Sequence, residues 1–154
     1  MIQRKQTVYL LFAAIVTAIL FFIPFGHFAS ETGEIYFLSF EGLVQVGQVD
    51  TLLYRTYPLS FLIGITVLLS VVDIFFFKRR VLQMRLAVFN MLLLIGLSLL
   101  MAYYIEFPGD QIEYDEKTYT VAIVLPIIAV IFTFLAFKGM REDELLIKSY
   151  NRIR

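Results

Sequence analysis

Four long apolar segments dominate this chain, and each is about as long as a helix that crosses a lipid bilayer. They are Val8–Phe25, Tyr57–Phe77, Leu86–Ile105 and Tyr119–Phe137. A hydrocarbon core about 30 Å thick requires roughly 20 residues of α-helix at about 1.5 Å per residue. The sequence therefore predicts an integral membrane protein with four spans.

The connections between these segments differ in charge, and the difference predicts the orientation of the chain. Eleven of the 13 Lys and Arg residues precede the first segment, lie between the second and third, or follow the fourth. The other two connections, 26–56 and 106–118, hold nine of the 13 Asp and Glu residues. Positive charge is retained on the cytoplasmic side during insertion. We therefore expect a multi-pass protein of a bacterial inner membrane, with both termini and the tail 138–154 in the cytoplasm.

The first outer loop contains a predicted β-hairpin. Ile35–Phe40 is rich in strand-forming residues, Glu41-Gly42 favours a turn, and 43–49 continues with alternating polar and apolar residues. In the second outer loop, Gln111–Tyr114 is a candidate third strand. The alternative is a partly ordered loop that lies on the membrane surface.

The predicted fold class is an all-α membrane protein: a single domain, built as a four-transmembrane-helix bundle with a small extracytoplasmic β-hairpin or sheet. This layout resembles that of the claudins in architecture alone. The Trp and Cys signature of that family is missing, because the chain contains neither residue. The outer loops are therefore expected to hold their shape by packing and hydrogen bonds.

Three polar residues inside the segments form a candidate site near the cytoplasmic boundary. Asp73, the only acid within a predicted span, lies five residues before the basic loop that joins the second and third spans. Asn90 lies five residues after that loop on the next, antiparallel span. Thr133 lies five residues before the tail and reaches a similar depth. We predict that the three side chains form one intramembrane polar cluster.

Two interpretations of this cluster stay open. In the functional one, Asp73 titrates in a proton or cation relay, because an ionisable group in hydrocarbon is costly and usually serves a role. In the structural one, Asp73 hydrogen-bonds Asn90 or reaches the headgroup region to pair with a base of the loop. A single shallow acid beside basic residues favours the structural interpretation.

The tail after Gly139 is predicted to be a short helix that carries a docking face. Acids stand at its start and bases at its end, which suits the helix dipole. Leu146, Tyr150 and Ile153 fall on one face at helical spacing. This face is a candidate docking site for a partner protein, and the alternative is that the tail lies on the inner membrane surface.

The residue inventory offers little for chemistry. Without cysteine there are no disulfides and no thiolate metal sites, and His27 is the single histidine. The acids of the outer loops lack the regular spacing of a cation site. We predict no cofactor, no metal site and no enzymatic activity. Nucleic acid is not an expected partner, although contact of the basic tail with a ribosome stays open.

The two ends of the chain resemble an uncharacterised four-helix inner-membrane family of Bacteroidota, a domain-of-unknown-function family. The resemblance is carried at the start by Met1-Ile2-Gln3-Arg4 and Gln6-Thr7-Val8-Tyr9-Leu10, and at the end by Asp143-Glu144-Leu145, Lys148-Ser149 and Arg152-Ile153-Arg154. Ile153 departs mildly from the Leu expected in the closing motif. The resemblance implies an inner-membrane location and transfers no catalytic or binding residue.

These observations favour a non-enzymatic accessory or scaffold subunit of an inner-membrane protein complex, with protein export and envelope assembly as candidate processes. The expected partners are membrane lipids and other inner-membrane proteins. The alternative is a small oligomeric transporter or channel that uses Asp73 and Asn90.

Overall fold

The computed structural model describes residues 3–30, 33–47, 51–108 and 116–152. The α-helices in these ranges are α1 (Gln3–Ala18), α2 (Tyr57–Phe75), α3 (Arg80–Glu106) and α4 (Leu125–Arg152). Short 3-10 turns extend or precede them at Ile19–Phe21, Phe76–Lys78 and Val121–Val124. The β-strands are β1 (Gly26–Ala29), β2 (Ile35–Leu38), β3 (Gly42–Val46), β4 (Thr51–Arg55) and β5 (Glu116–Tyr119).

Two prolines of the apolar segments lie where helices begin, whereas Pro24 follows the 3-10 turn that extends α1. Pro58 occupies the first turn of α2, where the missing backbone N–H costs no hydrogen bond. Pro126 is the second residue of α4, and the four residues before α4, Val121–Val124, form a 3-10 turn. Since proline cannot donate to the carbonyl four residues earlier, the regular α-helical ladder begins only at Leu125.

Three of the described helices are long and apolar enough to cross a membrane: Tyr57–Phe75, Arg80–Glu106, and Val121–Ile147, which includes the 3-10 turn before α4. The first predicted span is instead covered by a shorter apolar helix, Lys5–Phe21. The chain after Phe21 leaves the helix and enters strand β1. These findings are compatible with a membrane protein.

The four helices of the described ranges pack as a closed ring in the order α1, α2, α3, α4, and α4 returns to α1. Their interior is an apolar core that includes the fully buried side chains of Ala13, Leu94 and Ala129. A second, smaller apolar cluster is formed by residues of α1, α3 and α4: Leu10, Ala87, Ala136 and Met140. Hydrophobic side chains thus fill the ring over most of its length.

The strands form one antiparallel sheet in the order β4-β3-β2-β1-β5. Strands β1 to β4 come from the connection between α1 and α2, and β5 comes from the connection between α3 and α4. Pairing of Gly26 with Tyr119 and of Ala29 with Glu116 joins the two connections at one end of the helices. We call this the sheet end, and the opposite end, which carries Arg79, Arg80, Arg85 and Arg141, the basic end.

The sheet covers the helix ring with its apolar face. Phe25, Phe28, Leu38 and Leu43 are buried, and they belong to the same cluster as Ile105 of α3. The sheet and the helices therefore share one hydrophobic core, and burial of these side chains fixes the sheet on the ring.

The predicted fold class, an all-α four-helix bundle with a small hairpin, is wrong. The described ranges contain four helices together with a five-stranded antiparallel sheet, and the fold is mixed α and β. The predicted hairpin is present as β2 and β3, with Leu38 opposite Leu43. It forms the centre of a larger sheet. Strand β4 pairs with β3 on one side, and β1, followed by β5, pairs with β2 on the other.

The strands that the sequence did not predict lie at the ends of apolar segments. Strand β1 begins at Gly26, directly after the predicted first span, and β5 ends at Tyr119, where the fourth was predicted to start. The candidate strand Gln111–Tyr114 lies outside the described residues. Local strand propensity is a weak signal in a short segment beside a long apolar run. The pairing with neighbouring strands therefore determines that these residues form strands.

Candidate functional site

A layer of buried polar side chains lies between α2 and α3 toward the basic end. Asn90 of α3 and Ser70 of α2 are almost fully buried, and Asn90 Nδ2 donates a hydrogen bond to Ser70 Oγ over 2.8 Å. The Ser70 hydroxyl in turn donates to the carbonyl oxygen of Thr66 over 2.9 Å. One side-chain bond thus links two neighbouring helices in an apolar setting.

Asp73 lies within one helical turn of Ser70 and has a relative exposure of 1%. Neither of its carboxylate oxygens has a hydrogen-bond partner among the described residues, and the same holds for Asn90 Oδ1. The backbone carbonyl oxygen of Asp73 does accept a side-chain hydrogen bond, which Gln83 Nε2 donates over 3.0 Å. Gln83 therefore ties the start of α3 to the end of α2 without a hydrogen bond to the Asp73 carboxyl.

Thr133 is buried on α4, and its hydroxyl donates to the carbonyl oxygen of Ala129 over 2.8 Å. Within the described ranges, no hydrogen bond joins Asp73 to Asn90 or to Thr133. The structure thus places all three predicted residues in the interior, but it bonds Asn90 to Ser70. Sequence reasoning missed Ser70 and Gln83. The available signal for Ser70 was its position about one turn before Asp73, and for Gln83 its position near the start of the next helix.

A second polar cluster lies at the basic end. Gln6 of α1 donates from Nε2 to Asp143 Oδ2 of α4 over 2.8 Å, and both side chains are buried. Arg80 of α3 contributes a guanidinium nitrogen 3.7 Å from the same oxygen. We call Gln6, Arg80 and Asp143 the helix-end cluster. It was not predicted, because three separated segments of the chain supply it.

The close approach of α1 and α4 depends on a small residue. A Cβ atom built on Gly139 would lie 3.2 Å from Gln6 Cγ, which is tighter than ordinary contact. Gly139 lies one turn before Asp143 on the same helix. Glycine at this position thus lets the Gln6 side chain reach the Asp143 carboxylate.

The predicted docking face lies on the last part of α4, which continues as one helix to Arg152. Leu146 is exposed on this helix. Tyr150 belongs to the same helix by its backbone, whereas its side chain and Ile153 lie outside the described residues. The predicted short tail helix is therefore the end of α4.

Charged groups at the sheet end form local pairs. Lys117 of β5 donates from Nζ to Glu106 Oε2 at the end of α3 over 2.6 Å, and this hydrogen bond raises the pKa of Lys117. The Tyr36 hydroxyl donates to Glu34, which raises the pKa of Tyr36. Among the described residues, no group of three or more His, Cys, Asp or Glu is placed to hold a metal ion.

A family profile decides the relationship of the chain to other proteins. The family described as "Domain of unknown function (DUF4293)" matches residues 2–153. The chain belongs to this family. The resemblance predicted from the terminal motifs to an uncharacterised domain family is thereby confirmed. No match was found among the curated proteins.

The terminal motifs and the helix-end cluster coincide. Gln6 lies in the opening motif and Asp143 begins the closing one, and the structure joins their side chains directly. Both residues fall within the family match. The two sequence signals that carried the resemblance are therefore parts of one spatial feature at the basic end.

Proposed function

We propose that this protein is a non-enzymatic accessory or scaffold subunit of an inner-membrane protein complex, with export or envelope assembly as the process it serves. In this proposal the chain crosses the membrane four times, with both termini and the basic end in the cytoplasm. The charge asymmetry of the connections supports the orientation. The sheet, formed by the two acidic connections at one end, would face outward.

The observation that carries the proposal is the length of α4. Its 28 residues give a helix of about 42 Å, whereas a hydrocarbon core is about 30 Å thick. The surplus lies at the basic end, where Leu146 and Ile147 are 62% and 44% exposed. Apolar side chains on a helix that extends beyond the bilayer favour contact with a partner protein.

A second surface for contact lies at the sheet end. Strand β4 (Thr51–Arg55) is an edge of the sheet, and most of its side chains are exposed, including Leu52 and Leu53. An edge strand presents unpaired backbone N–H and C=O groups that can pair with a strand of another chain. The protein thus offers a contact surface on each side of the proposed membrane.

The interior of the sheet half supports an accessory role over a conducting one. Leu94, Leu97, Met101 and Ile105 of α3 are all buried in one apolar cluster that reaches the sheet. Protein interiors of this kind are close-packed, and a path for ions requires polar groups or water. The buried polar layer at Asp73 therefore ends against apolar packing toward the sheet.

The test is purification of the tagged full-length protein from its native membrane in a gentle detergent, followed by mass spectrometry of what stays bound. The comparison variant lacks residues 146–154 and retains Asp143, so the helix-end cluster stays intact. We expect a stoichiometric partner with the full-length protein and its loss with the truncated one. Recovery of this chain alone in both preparations would overturn the proposal.

Transport is a second candidate function, and one observation favours it. The Asp73 carboxyl is buried without a hydrogen-bond partner among the described residues. Leaving an ionised carboxylate unpaired in the interior costs roughly several kcal/mol, so a proton, a water molecule or a cation must satisfy it. Proteoliposomes that hold the purified protein separate the candidates: transport predicts a proton or Na⁺ flux that Asp73→Asn removes, and the accessory role predicts no flux.

A further inference from the structure

A groove of about 480 Å³ lies between α3 and α4 at the basic end. Its lining combines apolar side chains of both helices with charged ones, and consists of Val81, Met84, Arg85, Val88, Phe137, Arg141, Glu144 and Leu145. The base of the groove is well packed, because Met84 and Phe137 contact the buried cluster that includes Ala87 and Met140. A volume of this size lies within the range of small-ligand sites, roughly 300–1,000 Å³.

The polarity of the groove runs along the helix axes. On α3, Val88 lies one turn beyond Arg85 toward the middle of the helix. On the antiparallel α4, Phe137 lies one turn before Arg141 in the same direction. Val81 and Leu145 lie on the outer side of these arginines, and from Arg85 and Arg141 toward the centre of the helices the groove passes from basic to apolar. That is the order of groups in a phospholipid, whose charged headgroup is followed by acyl chains.

A second hollow of about 430 Å³ adjoins the groove and adds positive charge. It shares Val81, Arg85 and Glu144 with the groove and is lined further by Arg79, Arg80 and Leu82. Of these bases, Arg80 is paired with Asp143. Arg79, Arg85 and Arg141 make no ion pair within the part of the chain that the structure describes. The two hollows together are lined by four arginines and one acid, Glu144, and only Arg80 of these arginines is paired with Asp143, so the joint hollow attracts anions.

We propose that this groove binds an anionic glycerophospholipid. The guanidinium groups of Arg85 and Arg141 hold its phosphate, with Arg79 close to the rest of the headgroup. One acyl chain lies along Val88 and Phe137. Arginine suits this role, because its planar fork of donors matches phosphate oxygens and stays charged at every physiological pH.

The position of the apolar wall identifies the ligand as a lipid. Val88 and Phe137 belong to helix segments that are apolar enough to cross a membrane, so a ligand on them shares the bilayer with the protein. Basic pockets between spanning helices near the membrane surface bind anionic headgroups. A lipid with an uncharged or zwitterionic headgroup would gain the apolar contacts without the net attraction of the arginines.

The experiment measures lipid retention by the full-length protein in detergent, with native mass spectrometry as the readout. The two probes are dioleoylphosphatidylglycerol and dioleoylphosphatidylethanolamine, which share their acyl chains and differ in headgroup charge. We expect the first to bind about tenfold better than the second. The double variant Arg85→Gln/Arg141→Gln removes the proposed phosphate ligands, and we expect the preference to fall to about twofold or less.

Two further variants keep the proposal open to refutation if the double variant fails to fold. Val88→Trp fills the apolar part of the groove, and Leu99→Trp places the same side chain at an exposed position nearer the sheet end. We expect Val88→Trp to reduce phosphatidylglycerol binding about tenfold and Leu99→Trp to leave it unchanged. Equal binding of the two lipids, or equal effects of the two Trp variants, would overturn the proposal.

Discussion

The Gln6 side chain donates a hydrogen bond to the Asp143 carboxylate over 2.8 Å and joins the first and last helices across 137 positions of sequence. Both residues are 7% exposed, and Arg80 approaches the same carboxylate oxygen from α3 at 3.7 Å. Helices α1, α3 and α4 are therefore tied together at the basic end by one acid. A hydrogen bond is directional, so this bond also fixes how the two helices align.

Replacement of Asp143 by alanine is expected to destabilise the protein by about 1–3 kcal/mol, because it leaves the buried Gln6 amide without its acceptor and the Arg80 guanidinium without its ion-pair partner. The measurement is thermal unfolding in detergent followed by circular dichroism at a helix wavelength, which suits a chain without tryptophan. Glu142→Ala is the matched control, since Glu142 precedes Asp143 on α4 and is exposed. It should change stability by less than about 0.5 kcal/mol. Equal losses in the two variants would contradict the role of the helix-end cluster.

Replacement of Ser70 by alanine removes the acceptor of the Asn90 amide, and we expect a loss of about 1 kcal/mol. Ser98→Ala serves as the control, because the Ser98 hydroxyl, among the described residues, bonds only to the carbonyl oxygen of Leu94 in its own helix, over 3.0 Å. That variant should be close to neutral. The same unfolding assay compares both variants with the parent protein. A neutral Ser70→Ala variant would show that the link between α2 and α3 does not stabilise the fold.

In the accessory account, Asp73→Asn is a mild change. The substitution preserves the shape of the side chain, and neither Asp73 carboxylate oxygen has a hydrogen-bond partner among the described residues. We expect the variant to unfold within a few degrees of the parent protein and to retain the co-purifying partner. Loss of the partner with an intact fold would contradict this expectation and assign Asp73 a direct role in partner binding.

Replacement of Gly42 by alanine should disrupt the sheet end. Gly42 has φ of +149°, and a Cβ atom there would lie 2.0 Å from the carbonyl oxygen of Tyr54 in β4. Since backbone must move to relieve such a contact, we expect a loss of about 2 kcal/mol or more. Gly64→Ala is the control, because nothing lies within 4 Å of its added Cβ, and it should stabilise α2 by about 0.5–1 kcal/mol. Thermal unfolding that ranks the two variants in the opposite order would refute this account of the turn.

The helices and the central hairpin follow from the sequence, because their signals are local. Long runs of Leu, Ile, Val and Phe specify apolar helices, and the turn at Glu41-Gly42 between two strand-forming runs specifies the hairpin. Strands β1, β4 and β5 are four or five residues long and carry no clear alternation. They form strands because the folded chain places a strand beside each of them to pair with, and this depends on tertiary contacts rather than on local sequence.

The candidate sites divide in the same way. Depth along an apolar helix placed Asp73, Asn90 and Thr133 in the interior, where the structure finds them buried. Their partners could not be read from depth, because rotation about each helix axis decides that Asn90 meets Ser70. The contact between Gln6 and Asp143 depends on the return of α4 to α1, and no periodicity in either helix encodes it.

The central claim, that this protein is a subunit of a membrane complex, is tested most directly by the mass of the intact assembly. The tagged protein would be released from its native membrane in a gentle detergent and weighed by native mass spectrometry. The account predicts an assembly whose mass, after subtraction of bound lipid, is not an integer multiple of the mass of the tagged chain, which is 17.9 kDa plus the tag. A mass equal to one or several copies of this chain alone would contradict it.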